Sequence, residues 1–170
     1  MKIRPLLVLS SLLAMFTSAA SAESLKVGDA APNVTALTET GATLSLADVY
    51  AKQPYTLVYF YPKADTPGCT AQGCALRDAN DELVKKGVAI IGVSTDDVAA
   101  QKAFKEKYHF PFTLIADSDK KVVKAFGQSG TMFASREAYL IKDGKIVYHD
   151  TKVTAKQGEN VLAYLNAQKG

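Results

Sequence analysis

The sequence is poor in several residue types that often mark a function. Its 170 residues include no tryptophan, two cysteines, two histidines and only three arginines, and it has neither an internal repeat nor a low-complexity tract. Apolar residues make up 48% and charged residues 22% of the chain, close to the averages for soluble globular proteins. A single domain with its own hydrophobic core is therefore expected, and any redox or metal chemistry must rest on very few side chains.

The N-terminus has the layout of a secretory signal peptide. Lys2 and Arg4 are followed by an apolar run at 6–16 and by small residues that end in Ala20-Ser21-Ala22, as in cleaved signal sequences. A membrane anchor is the alternative interpretation, but a spanning helix needs about 20 apolar residues and this run is shorter. Cleavage after Ala22 is therefore expected.

The expected cleavage divides the chain into a signal peptide at 1–22 and one mature domain at 23–170, exported to the periplasm. Loss of Lys2 and Arg4 removes two positive charges, so the formal net charge falls from +3 to +1. A nearly neutral chain gives no indication of a nucleic-acid partner or of binding to a membrane surface. No membrane insertion is expected after cleavage.

Both cysteines lie in a stretch that is typical of a strand running into a helix. Residues 55–61 are aromatic or β-branched apart from one leucine, which predicts a buried strand. Pro62 ends the strand because it has no backbone donor. Thr66 before Pro67 is a helix-start signal, in which the hydroxyl caps free amides and proline takes the first helical position. Cys69 would lie in the first turn, where unpaired amides and the helix dipole stabilise a thiolate, so it is a candidate nucleophile.

The spacing of the two cysteines bears on whether they form a structural disulfide. An exported protein meets oxidising conditions, but closing a loop of about six residues contributes only about 2 kcal/mol. In one helix, the Cα atoms of Cys69 and Cys74 would lie about 140° and about 8–9 Å apart, whereas a disulfide needs less than about 7 Å. Either the two residues are not both helical, or oxidation unwinds the helix. Gly73 either eases such unwinding, as a poor helix former, or is a small residue required by packing.

The rest of the sequence alternates between strand and helix patterns. Strands are predicted at 33–37, 42–46, 88–93, 112–115, 138–141 and 146–149. Helices are predicted from 67 to Gly87, from Asp96 or Asp97 to Phe110-Pro111, from 122 to Gly127, and after a capping box formed by Thr154 and Gln157. Asp143-Gly144 is a hairpin signal between the last two strands. The order suits an α/β layer fold.

The cysteine-containing stretch carries a family resemblance. The pattern Pro62-x-x-x-Thr66-x-x-Cys69 resembles the peroxidatic motif of peroxiredoxins. Residues 60–70, with Cys74 five residues after Cys69, resemble the bacterioferritin-comigratory or Q-type subfamily. The likeness continues in three further segments and one arginine: 27–32, 92–96, 110–117 and Arg136. It therefore covers nearly the whole mature chain.

The resemblance implies a fold and an activity. The fold would be thioredoxin-like, with a central mixed β-sheet flanked by helices and an N-terminal β-hairpin made by 33–37 and 42–46. The activity would be a thiol-dependent peroxidase of antioxidant defence, acting on hydrogen peroxide and organic hydroperoxides. Cys69 would become a sulfenic acid and condense with Cys74, and a thioredoxin-like dithiol protein would reduce the disulfide. No metal, haem or flavin cofactor is required, and a monomer is implied.

The site residues implied by the resemblance are Cys69, Cys74, Thr66, Arg136 and Pro62. A peroxidase must donate hydrogen bonds to the developing negative oxygen, for which the Thr66 hydroxyl, amides near Cys69 and an always-charged guanidinium are suited. The family places its arginine before the strand at 138–141, which indicates Arg136.

Four residues have competing interpretations. Arg77 lies about 12 Å along the helix from Cys69, so a surface ion pair is its expected role. Cys74 could instead be a small hydrophobic residue of the core. Pro62 and Pro67 either shape the loop around the sulfur or simply end a strand and begin a helix.

Two other functions are compatible with the composition. A thiol-disulfide oxidoreductase acting on proteins would share the fold and the compartment, but such enzymes typically carry Cys-x-x-Cys, whereas four residues separate Cys69 from Cys74. A copper-binding chaperone would need a histidine close to two cysteines. His109 follows a predicted helix and His149 ends a predicted strand, so neither is expected to complete such a site.

The sequence departs from the subfamily pattern in two places. Glu137-Ala138 follows Arg136 where a serine or threonine pair is common, and Gln72-Gly73 precedes Cys74 where a bulkier or acidic residue is usual. Export is also unusual for this subfamily. The reductant is accordingly the least specified partner.

Overall fold

A computed structural model describes residues 23–129 and 131–168, so the expected signal peptide at 1–22 lies outside the described residues. The strands are β1 Thr35–Thr38, β2 Thr43–Ser45, β3 Tyr55–Phe60, β4 Val88–Ser94, β5 Thr113–Ala116, β6 Glu137–Lys142 and β7 Lys145–Thr151. The helices are α1 Leu46–Lys52, α2 Pro67–Asp78, α3 Asn80–Lys85, α4 Val98–Tyr108, α5 Lys121–Ala125 and α6 Gln157–Ala167. Within this part of the chain, no helix has the length and apolar character needed to cross a membrane.

The seven strands form one mixed sheet in the order β2-β1-β5-β4-β3-β6-β7. Strands β3, β4 and β5 are parallel, whereas β6 joins β3 and β1 joins β5 in the antiparallel sense. A parallel pair needs a crossover connection, which α2 and α3 provide between β3 and β4. The expected N-terminal hairpin, β1 with β2, and the hairpin of β6 and β7 are both confirmed.

Helices cover both faces of the sheet, and β3 is buried on each. Leu57 and Tyr59 face a core shared with α2, α3, α4 and α6, whereas Val58 and Phe60 face a second core beneath α1 and α5. All four side chains are fully buried, and each such burial contributes about 1.5–3 kcal/mol. The central strand is therefore a rigid base for the loop that follows it.

One expectation about the helices is wrong, and one helix was not predicted. The single helix predicted from 67 to Gly87 ends at Asp78, where Ala79 takes φ −88° and ψ −3°, and α3 begins at Asn80. Helix α1 had no prediction: the strand expected at 42–46 stops at Ser45, whose side chain accepts a hydrogen bond from the Asp48 amide and begins the helix. The break at Ala79 could not be predicted from the apolar spacing, because Ala79 fits the helical pattern.

The capping box expected at the last helix is also absent. The residue before α6 is Lys156, and no side chain caps the helix. The Gln157 amide instead points into the protein and accepts a hydrogen bond from the Gln72 side chain at 2.6 Å. A long-range partner therefore replaces the local one.

Candidate active site

Cys69 lies in the first turn of α2, just beyond the end of the central strand. Pro67 occupies the start of the helix, and Cys69 is 1% exposed. The expected cap by Thr66 is wrong: its hydroxyl makes no capping bond and donates to the Lys63 carbonyl at 2.9 Å. The first amides of α2 are thus without a side-chain cap, and Pro62 lies half-buried at the start of the loop.

The loop between Pro62 and Thr66 is tied to the ends of β4 and α4. The Ala64 amide donates to Asp96 Oδ2 at 2.7 Å, and the same carboxylate oxygen accepts from Ser94 Oγ at 2.7 Å. Asp65, at φ +57°, accepts from Lys107 Nζ at 2.7 Å and from Tyr108 Oη at 2.7 Å. The Lys107 bond and then the Tyr108 bond lower the pKa of Asp65. Together these bonds fix the chain entering the helix.

Arg136 contacts the Cys69 sulfur directly. Its Nη2 lies 3.3 Å from Sγ, while Nη1 donates to Gln72 Oε1 at 2.5 Å and lies 3.4 Å from the Gly68 carbonyl oxygen. A Cβ on Gly68 would lie only 3.1 Å from Nη2, so glycine makes room for the guanidinium. A guanidinium donor therefore lies within hydrogen-bond distance of the sulfur.

Arg77 is placed elsewhere, as expected from its position on the helix. It forms an ion pair with Asp78 at 2.8 Å, and its Nη1 donates to the Tyr108 carbonyl at 2.9 Å. The structure therefore places Arg136 beside the sulfur and Arg77 in an ion pair at the surface.

Cys74 is half-buried and lies in the same helix as Cys69, and both are reduced. This settles one of the two alternatives left open by the sequence, because both residues are helical. Gly73, between them, packs against the Phe110 ring: a Cβ there would lie 2.6 Å from Cζ. Close packing therefore requires a small residue at this position, whatever else glycine does there.

Aromatic side chains form the floor beneath Cys69. Tyr59 and Tyr61 stack with ring centroids 5.5 Å apart and share one core cluster with Cys69. Burial raises the pKa of both hydroxyls, so they stay protonated. Tyr61 Oη donates to Gln101 Oε1 at 2.5 Å, whereas the Tyr59 hydroxyl has no partner among the described residues.

The two departures from the subfamily pattern have different surroundings. Glu137 is the first residue of β6, and its carboxylate accepts from Ser24 Oγ at 3.0 Å and from the Tyr139 hydroxyl. It also bonds His149 Nε2 at 2.9 Å. Gln72, by contrast, lies at the site itself.

Gln72 is the site residue that sequence reasoning missed as a participant. It is fully buried and bonds both Arg136 and Gln157. A signal was present: Cys69, Gln72 and Leu76 share one face of α2, where a polar residue on a buried stripe needs a partner. The identity of that partner could not be read from local spacing.

The histidines have other surroundings. His109 is exposed and ends α4 at φ +55°, while His149 stacks on Tyr139 with ring centroids 4.4 Å apart. Across 23–129 and 131–168, no group of three or more histidine, cysteine, aspartate or glutamate side chains is arranged to hold a metal ion. The described residues thus supply no ligand set for the copper-binding role.

The site combines a buried sulfur, a fixed cation and free helix amides. Such an arrangement can donate hydrogen bonds to negative charge that develops on an oxygen next to the sulfur. An electrophile reaching Cys69 would meet Arg136 within hydrogen-bond distance. The geometry therefore suits nucleophilic attack by sulfur.

Comparisons with known proteins agree with this chemistry. The AhpC/TSA family profile matches residues 27–149. The chain is 40% identical over 152 residues to peroxiredoxin Bcp of Escherichia coli, and the match covers 83% of this chain and 96% of that protein. It is 42% identical over 125 residues to chloroplastic peroxiredoxin Q of Oryza sativa subsp. japonica, covering 71% of this chain and 57% of that protein.

A solved structure shares the fold. Peroxidoxin BcpB from Mycobacterium tuberculosis matches with a TM-score of 0.78 and 27% sequence identity, over 84% of this chain and 97% of that one. The sequence profile, the curated relatives and the fold all give the same assignment. This chain belongs to the AhpC/TSA family, and it is a peroxidase of the peroxiredoxin type whose relatives are named Bcp and peroxiredoxin Q.

Proposed function

We propose that the protein reduces hydrogen peroxide and organic hydroperoxides through a sulfenic acid on Cys69 and a disulfide between Cys69 and Cys74. The observation that carries the proposal is the 3.3 Å contact between Arg136 Nη2 and Cys69 Sγ at the start of α2. Thr66 and Pro62 complete the site. The role is that of an antioxidant enzyme that needs no cofactor.

In the first step, the Cys69 thiolate attacks one oxygen of the hydroperoxide. A sulfur–oxygen bond forms, the oxygen–oxygen bond breaks, and the second oxygen takes the proton of the hydroperoxide and leaves as water or an alcohol. The sulfenate left on Cys69 takes a proton from solvent to become the sulfenic acid. Arg136 and the free α2 amides stabilise the charge on the oxygens. The Thr66 hydroxyl, whose proton is donated to Lys63, offers its lone pairs to the proton of the incoming hydroperoxide.

In the second step, the Cys74 thiol attacks the sulfenic sulfur. The disulfide forms, the sulfur–oxygen bond breaks, and the hydroxyl leaves with the thiol proton as water. Because both cysteines lie in α2, their Cα atoms are about 8–9 Å apart by helix geometry. The helix must therefore unwind locally before the disulfide can close.

In the third step, a dithiol protein of the thioredoxin type reduces the disulfide and is itself oxidised to a disulfide. Thioredoxin dependence is typical of the family. The proposal includes export to the periplasm after cleavage at Ala22, where the reductant would be a periplasmic dithiol protein, and a monomeric enzyme. N-terminal sequencing of the protein recovered from the periplasm, and light scattering of it, test these two points.

The central experiment treats the reduced mature chain, free of metal, with one equivalent of hydrogen peroxide and maps the product by mass. The expected product is a Cys69–Cys74 disulfide. Cys69→Ser should abolish peroxide consumption, whereas Cys74→Ser should still react once and retain a sulfenic acid that dimedone traps.

A parallel assay separates the oxidoreductase alternative. The peroxidase is expected to consume peroxide rapidly and to reduce insulin disulfides poorly. Fast reduction of insulin with slow peroxide consumption would favour the oxidoreductase, and peroxide consumption that survives Cys69→Ser would contradict the proposed nucleophile.

A further inference from the structure

A buried contact joins the helix of the two cysteines to the last helix of the chain. Gln72 Nε2 on α2 donates to Gln157 Oε1 on α6 at 2.6 Å, across 85 residues of sequence. The two side chains are 0% and 1% exposed. Water therefore cannot replace either partner while α2 is folded, and a buried amide left alone is costly.

This contact is the middle of a chain of hydrogen bonds that begins at Arg136. Arg136 Nη1 donates to Gln72 Oε1 at 2.5 Å, Gln72 donates to Gln157, and Gln157 Nε2 donates to Asp150 Oδ2 at 3.3 Å. A guanidinium can only donate and a carboxylate can only accept. The direction of both amides is thus set from the two ends.

The direction of the Gln72 amide matters at the sulfur. If Gln72 turned by 180°, its NH₂ group would face the donors of Arg136, which would be pushed from its place beside Cys69. Gln157 opposes that turn, because its Oε1 is an acceptor and can bond the NH₂ group of Gln72 but not the carbonyl oxygen of Gln72. Gln157 acts on the sulfur only through other side chains, so it is a positioning residue.

Packing beside the contact brings the two helices close together. Gly158 follows Gln157, and a Cβ there would lie 2.7 Å from Ala79 Cβ and 2.8 Å from the Ala75 carbonyl oxygen. The absence of a side chain lets α6 approach α2, so Gln157 reaches Gln72 directly. The contact is therefore part of a tight helix interface.

We propose that Gln157 is a latch on α2: it holds Arg136 in place through Gln72 while the helix is folded, and its contact with Gln72 breaks when the helix unwinds for disulfide closure. This inference rests on the proposed function, because it assigns opposite effects to the two chemical steps. Loss of the latch should slow attack on the hydroperoxide and speed formation of the disulfide.

The test compares wild type with Gln157→Leu, which keeps the bulk but leaves the Gln72 NH₂ group buried without a partner. We expect oxidation of Cys69 by hydrogen peroxide, measured as dimedone-trapped sulfenic acid in the Cys74→Ser background, to slow about tenfold. Closure of the disulfide, timed by mass after acid quench in the presence of Cys74, should speed up about tenfold.

Hydrogen exchange supplies a readout that needs no peroxide. In the reduced protein, amides at 71–76 should exchange about tenfold faster in Gln157→Leu, while amides of β4 should be unchanged. A residue that served only overall stability would raise exchange throughout the core and would change both chemical steps in the same direction.

Two variants sharpen the assignment. Asn160→Ala removes the bond from Asn160 Nδ2 to Asp150 Oδ2, 3.2 Å, on the same helix without touching Gln72, and should leave both rates within about twofold. Gln157→Glu combined with Asp150→Asn keeps an acceptor facing Gln72 and reverses the outer bond. The Tyr148 hydroxyl and the Asn160 amide, which donate to the same oxygen of Asp150, can turn to accept instead. This pair should bring both rates back to within about threefold of wild type.

The outcomes separate the latch from the proposed function. If wild type forms no Cys69–Cys74 disulfide, the proposed function fails, and hydrogen exchange with the sulfenic acid assay still tests the latch. Unchanged exchange at 71–76 in Gln157→Leu, or failure of the double variant to restore the rates when it is folded, would overturn the latch.

Discussion

The two sides of Cys69 are held in different ways. The loop before it, 62–66, is tied by Asp96, Lys107 and Tyr108 to the ends of β4 and α4. The helix after it, α2, is tied by buried side-chain contacts to Arg136 and to α6. One side is an irregular segment fixed in place, whereas the other is a regular helix that would have to unwind for the proposed disulfide to close.

Under the proposed mechanism, this difference would let one site meet two opposing requirements. Attack on a hydroperoxide needs a fixed geometry, and disulfide closure needs the same sulfur to move. The loop is anchored to elements that do not contain a cysteine, so it can stay in place while α2 opens. Local unfolding of one helix is a common low-energy motion when its contacts are few and separable.

The largest expected effect comes from removing the Arg136 contact on the helix side of Cys69. Arg136→Met should lower the rate of Cys69 oxidation by about 10²–10³, because the guanidinium beside the sulfur is lost. Arg77→Met is the matched control on α2 and should change the rate by less than about twofold, since Arg77 pairs with Asp78 at the surface. Stopped-flow measurement with hydrogen peroxide checks both, and equal losses would contradict the assignment of Arg136.

An intermediate effect is expected from the packing of α2 alone. In Gly73→Ala, the new methyl group would collide with the Phe110 ring, which other rings surround. Overpacking typically costs about 1–3 kcal/mol, against a gain of about 1 kcal/mol in helix propensity. Net destabilisation of about 1 kcal/mol is expected in urea unfolding of the reduced protein.

Phe110→Leu provides the matched partner for this test. The smaller side chain makes room for the methyl group, so the double variant should be more stable than the two single losses predict, by about 1 kcal/mol. Additive losses would show that Phe110 does not restrict the size of the residue at position 73. They would favour the alternative that Gly73 eases unwinding of the helix.

The smallest effect is expected on the loop side. Asp65→Asn keeps a residue type that tolerates positive φ but loses the charge paired with Lys107, and because the pair is exposed, the oxidation rate should fall by less than about threefold. Asp119→Asn, which breaks the exposed pair with Lys121, is the control and should leave the rate unchanged.

The dependence of folded-state stability on pH in acid should also involve Asp65. The pKa of Asp65 is lowered in the folded protein, so its contribution is present above the pKa of the unfolded chain and disappears as the pH falls through the folded value. Thermal unfolding of wild type and Asp65→Asn should therefore converge in acid. A difference that grows in acid would contradict this.

The sequence was sufficient for the features that local chemistry specifies. The strand at 55–61, the helix start at Pro67 and the place of Cys69 follow from hydrophobic runs and proline rules, and Arg136 follows from the resemblance. The structure puts all of them close to the expected positions.

The remaining features depend on contacts that have no local signature. The break at Ala79 falls in an unbroken helical pattern. The side-chain amide of Gln157 bonds Gln72, 85 residues away, and does not form the helix cap that its own segment predicts. A propensity rule compares neighbours along the chain, and such contacts are decided by which side chains the fold brings together.

The stacked tyrosines beneath Cys69 have an optical consequence. With no tryptophan in the chain, its ultraviolet emission comes mainly from its eight tyrosines, of which Tyr59 and Tyr61 share a cluster with the Cys69 sulfur. The proposed unwinding of α2 would move Cys69 away from these two rings, and we expect the intensity of the tyrosine emission to change with it. Tyrosine emission of the native protein should therefore follow the proposed cycle without a dye or an engineered label.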